Sequence, residues 1–442
     1  MSLAIPQFEI LSRREQIRAS LAAWLPWVGK GSLAILDQGL ISGSNFLIGI
    51  LLARWLAPAA YGAYGLAFAI FLLLSLVHQA LILEPMSVLG SSDYRNCRRD
   101  YLGSLVWIHG ALVLPIATIL ATAAWATHLA ANSSSLPAAL AGVTLAAPCV
   151  LLYWLARAAF YIKLAPLVAV LGGGLYCVLV LGGLWLVYQH GLLSPFSAFV
   201  LMGFGALVVS GQQLICLKPA LKPGSSDASL SAVWREHWRY GRWALASSFL
   251  AWIPWNIQYI LVSSYSGMAR AGMLKALLNL TLPVMQGSAA VSLLAQPYAS
   301  GVHGGEGAAG IGKVTRKLTL LFACIAVAYW ALVTALQRPI VFFLYTGKYM
   351  EIRHLVPWIA LASVFVTVSY GLAISLRAMK SPASVFVAYG VSSAVALAVG
   401  IPATRALGLR GAILSIIVSS AATPLVELAL LRRELRRTSA RS

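Results

Sequence analysis

Asp37, Gln38, Ser42 and Asn45 all fall within residues 31–54, GSLAILDQGLISGSNFLIGILLAR, a stretch that is otherwise apolar and long enough to cross a bilayer. Gln38, Ser42 and Asn45 are spaced i, i+4 and i+7, which puts them on one helical face about 100° wide with Asp37 at its edge. A charged group at the bilayer centre costs at least about 2.5 kcal/mol on insertion scales, so this face is expected to meet protein or water rather than lipid alone. The chemistry on offer is ion coupling. A buried carboxylate beside imidazoles can relay protons, and His78 and His109, on the two apolar stretches that follow, fall at a comparable depth. A structural ion pair or capping role is the alternative for Asp37, and for the two histidines the structural role leads.

A second polar stripe, Lys275, Asn279 and Gln286 at i, i+4 and i+11, surrounds Pro283, a residue that kinks helices. Lys275 could attract an anionic head group or simply snorkel to the interface, and the same pair of roles applies to Arg54 at the end of the first stretch. Trp252, Trp255, Asn256 and Tyr259 form an aromatic and amide cluster suited either to stacking on sugar rings or to anchoring at the interface. Arg157 and the trio Arg95, Arg98 and Arg99 could receive a phosphate, although topology alone accounts for cations there. The five cysteines are scattered without CxxC spacing, which assigns them to packing and not to a metal or redox pair. Walker, HExxH and GxSxG patterns are missing, so no hydrolase or ATPase signature supports an enzyme, and no cofactor is expected beyond a coupling proton or sodium ion.

The elements that must position these residues are membrane helices. The chain has 442 residues, 60% of them hydrophobic and 10% charged, with a mean hydropathy of +0.83, outside the range of soluble globular proteins. Apolar runs of the required length recur at 31–54, 62–84, 101–127, 136–158, 166–188, 193–216, 243–265, 270–298, 314–336, 353–377, 381–403 and 409–431. The fold class is therefore all-α polytopic membrane protein, with twelve spans. The net charge of +20 does not call for nucleic acid, because 24 of the 32 cations lie in alternate loops and at the termini. That bias puts both termini in the cytoplasm.

The predicted organisation is an interfacial segment at 1–30, a six-helix lobe at 31–216, an amphipathic linker at 217–242, a second six-helix lobe at 243–431 and a basic tail at 432–442; a glycine-rich loop is expected at 299–313. Residues 53–70 and 263–280 align at an offset of 210, setting Ala59 on Ala269, Gly62 on Gly272 and Ala67 on Leu277. With six spans in each half, such a duplication is parallel, and a cavity is expected between the two bundles.

LLARWLAPAAYGAYGLA (51–67), LEPMSVLG (83–90), LLAQPYAS (293–300) and LYTGKYMEIRHLVPWIA (344–360) resemble landmarks of the polysaccharide transporter branch of the multidrug/oligosaccharidyl-lipid/polysaccharide exporter superfamily. The resemblance covers nearly the whole chain. It implies a MATE-like flippase fold of two lobes in a V, moving a polyprenyl-diphosphate-linked oligosaccharide across a bacterial inner membrane by alternating access, with a polysaccharide polymerase and glycosyltransferases as partners. On that reading Lys275 and Arg54 hold the diphosphate, Trp255, Asn256 and Tyr259 meet the sugars, and Gln38, Asn45, Asn279 and Gln286 line the path. Asp37 with His78 would couple an ion, Asp37 resembling the acidic coupling residue in helix 1 of the related multidrug exporters. The lipid II flippases carry arginines in helix 1, and SNFLIGILL (44–52) has none, which counts against lipid II as substrate. The alternatives are a multidrug or cation exporter, which would favour an acidic cavity, and a membrane-embedded polymerase, which would need a sizeable outer loop.

Overall fold

The computed structural model describes residues 13–439 apart from 91, 131–134, 221–227 and 380. The chain enters through α1 (Arg13–Trp55) and α2 (Pro58–His78). A π-helical turn (Gln79–Leu83) joins α2 to the short α3 (Glu84–Leu89), and α4 (Arg98–Ala130), α5 (Ser135–Ile162), α6 (Pro166–Gln189) and α7 (Pro195–Leu217) complete the first lobe. The second comprises α8 (Leu230–Ser266), α9 (Met268–Asn279), α10 (Leu282–Ala335), the short α11 (Gln337–Tyr345), a 3₁₀ turn (Met350–Leu355), α12 (Val356–Ala378), α13 (Pro382–Leu407) and α14 (Leu409–Ser439). Among the described residues eleven of these helical stretches are long and apolar enough to cross a membrane, and α9 with residues Leu282–His303, bent by 45°, makes a twelfth when the pair is counted as one broken span. The protein is a multi-pass membrane protein with two six-helix lobes.

Proline sets many of the boundaries. α2, α6, α7, α10, α12 and α13 each carry it within their first two residues, where a helix has no use for the missing N–H. α7 adds a capping box, in which Ser194 Oγ accepts from Ser197 N at 3.1 Å and Ser197 Oγ from Ser194 N at 2.8 Å. Inside helices the same residue frees a carbonyl four positions back, and in lipid that carbonyl needs another donor. Pro254 frees Leu250 O, which accepts from Ser393 Oγ at 2.5 Å. In the π-helical turn, Leu81 O accepts from His237 Nδ1 of α8 at 2.8 Å. At the α9–α10 bend the last carbonyls of α9 are taken up by Thr281 Oγ1, to Leu278 O, and Tyr329 Oη, to Leu280 O, both at 2.7 Å.

Three expected boundaries differ. Residues 13–30, expected as a separate interfacial segment, continue into the first span as one helix. The amphipathic part of the expected linker is the beginning of α8, which passes through 242/243 unbroken, with Val233, His237 and Gly241 buried at helical spacing. The glycine-rich stretch expected as a loop is helical, broken only at Gly307, whose φ of +61° is open to glycine at no steric cost.

The lobes meet where α2 crosses α9. A Cβ on Gly62 would lie 1.9 Å from Met268 O and 2.8 Å from Gly272 N, while one on Gly272 would lie 2.2 Å from Pro58 O and 3.1 Å from Gly62 N. Pro58 and Met268 are again 210 positions apart, so each copy of the repeat presents the same pair to the other. Reciprocal contact of this kind is the mark of a two-fold axis, and an axis along the membrane normal is what a parallel repeat predicts.

Candidate functional site

Part of the polar stripe of α1 resolves into a half-buried cluster around one buried carboxylate. Asp37 has no exposed surface; its Oδ2 accepts from Arg157 Nε at 2.7 Å and from the Tyr161 hydroxyl. Arg157 and Tyr161 are one turn apart on α5, the guanidinium standing 5.6 Å from the Tyr161 ring centre. Arg157 also donates to Gln38 Oε1 at 3.3 Å, and Gln38 Nε2 donates to Ser42 Oγ at 3.1 Å. Gly173 on α6 lets the carboxylate in: a Cβ there would sit 3.0 Å from Asp37 Oδ1, an atom with no hydrogen-bond partner. The expected pairing of Asp37 with His78 is not formed. An arginine takes that place, and His78 instead faces His109, Nε2 to Nδ1 at 3.1 Å with the rings edge to face. Asn45, farther along α1, is exposed.

A second group lies on the seam between the lobes. Lys275 Nζ stands 5.0 Å from the ring centre of Phe68 on α2 and 5.8 Å from that of Tyr259 on α8. Gly65, its counterpart at the offset of 210, makes room for the lysine stem, with a Cβ 3.2 Å from Lys275 Cγ. Among the described residues no carboxylate pairs with Lys275; the ion pairs there are Arg157 with Asp37 and Arg437 with Glu434. Cation–ring contact returns about 0.5 to 2 kcal/mol, less than the roughly 2.5–3.5 kcal/mol that insertion scales assign to a central lysine.

One turn on, Asn279 donates to Tyr61 Oη at 3.3 Å and packs against Gly49. Tyr61, Tyr345 and Tyr349 form a buried ring cluster beyond it. There Lys348 Nζ donates to Leu56 O at 3.1 Å and also to Arg54 O, and burial pulls its pKa down from the ordinary lysine value. These contacts close the seam beside the turn between α1 and α2. Arg54 contributes to that seal through its backbone, its side chain being half-exposed.

Trp255 points elsewhere, into a cavity of about 240 Å³ inside the second lobe that Ser369, Tyr370, Arg377 and Tyr389 also line. Ser369 Oγ donates to Glu427 Oε2 at 2.6 Å, and the other oxygen of this fully buried carboxylate has no hydrogen-bond partner. Asn256 turns back on its own helix, donating to Trp252 O at 3.0 Å, and Gln286 is half-buried on α10. The residues expected around one path therefore occupy three places: the α1–α5 cluster, the seam, and the second lobe's cavity. Sequence reasoning did not find Tyr161, Phe68, Tyr61 or the Ser369–Glu427 pair as members. The i, i+4 spacing of Arg157 and Tyr161 was a usable signal, since it sets both on one face; nothing in the sequence marks Phe68 among so many apolar neighbours.

The chain has the fold of known transporters. It is similar to a multidrug resistance MATE family transporter of the MOP superfamily in its inward-facing conformation, with a TM-score of 0.77 and 13% identity over 92% of this chain and 96% of that one. The lipid II flippase MurJ in an inward closed conformation gives 0.70 and 13% over 93% and 90%. A eukaryotic MATE transporter gives 0.66 and 15% over 94% and 98%. In sequence, no family model and no curated protein matches the chain.

Proposed function

We propose that the protein is a flippase that moves a polyprenyl-diphosphate-linked oligosaccharide, an O-antigen or exopolysaccharide repeat unit, across a bacterial inner membrane by alternating access. Drug exporters and a lipid flippase share this fold, so the choice between them rests on charge. One observation carries it: Lys275, on the seam, has no carboxylate partner among the described residues, while the buried acid of the first lobe is neutralised by Arg157 and accepts a hydrogen bond from Tyr161. A cavity built for cationic compounds needs the opposite arrangement. Lys275 and Arg54 hold the diphosphate in this reading. Tyr259 offers a ring to the sugars at the seam, Gln38 and Gln286 offer hydrogen bonds, and Asp37 is the group that responds to a coupling proton or sodium ion. No chemical step on the substrate is involved.

Lys275→Gln tests the reading. Cells carrying it should accumulate undecaprenyl-linked repeat units on the cytoplasmic leaflet and lose surface polysaccharide, with drug sensitivity unchanged and the protein present at its normal level. Normal surface polysaccharide in that variant, or a change confined to drug sensitivity, would overturn it.

A further inference from the structure

A second pocket, of about 440 Å³, lies in the first lobe between the α2–α3 segment, the start of α4 and the end of α5. Its floor is apolar, from Leu83 and Met86 on the α2–α3 segment and Ile162 and Leu164 at the end of α5, and its rim carries Arg95 and Arg98. Leu164 is 51% exposed, so the apolar side opens outward at the level where these spans end. Tyr161, whose hydroxyl holds Asp37, forms part of the inner wall.

The arginines are not held by the fold. Arg98 Nε is buried without a hydrogen-bond partner, and no described carboxylate pairs with either guanidinium. The neighbouring Arg99 differs: its Nε donates to Lys218 O at 2.9 Å, tying down the chain after α7. The loop that carries Arg95 is fixed, since Tyr94 stacks on Tyr101 at 4.3 Å between ring centres and donates to Glu236 Oε2 at 2.7 Å. Burial and that carboxylate both push the Tyr94 pKa up, which keeps its hydroxyl a donor. α4 begins at Arg98, so its first-turn amides add positive potential at the same rim. Two arginines on a fixed frame, one with a desolvated free donor, match the oxygens of a phosphoryl group, and an apolar trough beside them matches a chain attached to it. Basic pockets between membrane helices take anionic lipid head groups in this way.

We infer that this pocket is a binding site for the phosphoryl head group of an anionic phospholipid, with Arg95 and Arg98 on the phosphate and an acyl chain along Leu83, Met86, Ile162 and Leu164. The inference does not depend on what crosses the seam. Native mass spectrometry of the full chain, stripped of lipid and titrated with phosphatidylglycerol, phosphatidylcholine or inorganic diphosphate, reads it directly. The wild type and Arg99→Gln are expected to retain phosphatidylglycerol over phosphatidylcholine, and Arg95→Gln/Arg98→Gln to lose about tenfold or more in affinity, the equivalent of one charge-assisted hydrogen bond. Arg95→Gln alone, at an exposed loop position, keeps the test valid if the double variant does not fold, with a smaller loss in the same direction. Diphosphate binding that fails in the same variants supports the phosphoryl site and assigns its ligand to a soluble anion. Equal retention of phosphatidylcholine, or phosphatidylglycerol binding unchanged in both arginine variants, would overturn the inference.

Discussion

Replacing Arg157 with glutamine should destabilise the protein far more than replacing Asp37 with asparagine, although each change removes the same ion pair. The asymmetry comes from exposure: the Asp37 side chain has none, whereas that of Arg157 is 21% exposed. Without Arg157 the carboxylate keeps Tyr161 as its one hydrogen-bond donor and its Oδ1 stays unpartnered. A buried charge stripped of its partner costs about 3–5 kcal/mol. In Asp37→Asn the arginine still reaches water, still donates to Gln38 Oε1 at 3.3 Å, and faces an amide oxygen able to accept from it and from Tyr161. Only the charge-assisted part of two bonds is lost, about 1–2 kcal/mol. Asp37→Asn/Arg157→Gln has no buried charge and should sit close to Asp37→Asn, giving a coupling of about 3–5 kcal/mol in the double-mutant cycle, the size of the Arg157→Gln loss. Reversible unfolding in mixed detergent and SDS micelles, followed by tryptophan fluorescence, measures all four proteins. Equal losses in the two single variants, or a double variant equal to their sum, would refute the view that this pair fastens α1 to α5.

Two further variants test the seam and the helix that bridges it. Gly62→Ala places a methyl group 1.9 Å from a carbonyl oxygen and 2.8 Å from an amide nitrogen, backbone atoms that cannot rotate aside, so α2 and α9 must part; the distance between spin labels at Ala57 and Ser266 should lengthen. It should stay fixed in Gly39→Ala, where nothing lies within 4 Å, and an unchanged distance in Gly62→Ala would count against the crossing as a seal. Pro254→Ala gives Leu250 O its helical donor in place of Ser393 Oγ; the unfolding midpoint should rise, by less than the roughly 3 kcal/mol of the intrinsic scale because Ser393 loses its partner, and a fall would show that α8 needs the break.

Much of this architecture could be read from the chain. Apolar runs located the spans because a bilayer imposes length and composition together, and the repeat offset of 210 was legible although few letters match, because Gly62 and Gly272 each have to admit a neighbouring backbone. What could not be read was which polar groups meet. Asp37 and His78 are at comparable depth on successive helices, yet the carboxylate is met by Arg157 from α5, 120 positions away; depth is a one-dimensional quantity and pairing is decided by rotation about each helix axis. The same limit explains Trp255. Its i, i+4 relation to Tyr259 suggested a shared surface, but Tyr259 lies against Lys275 while Trp255 lines the second lobe's own cavity. The break at Gly307 was read as a loop because glycine-rich composition is common to both, and here the helix resumes within a few residues.

The distribution of buried charge separates structure from function in this bundle. Arg157 is committed to Asp37, and the Glu427 carboxylate is held by Ser369 beside a cavity that Arg377 lines. Each of these groups is met by side chains of its own lobe, so rocking one lobe against the other leaves its partners in place. Lys275 differs in kind. Its two ring partners lie on opposite sides of the seam, Phe68 in the first lobe and Tyr259 in the second, so any opening along that seam removes one of them. The lysine is thus an unpaired charge whose solvation depends on the relative position of the lobes. Under the proposed function, an anion bound there would be felt by both lobes, linking ligand to conformation.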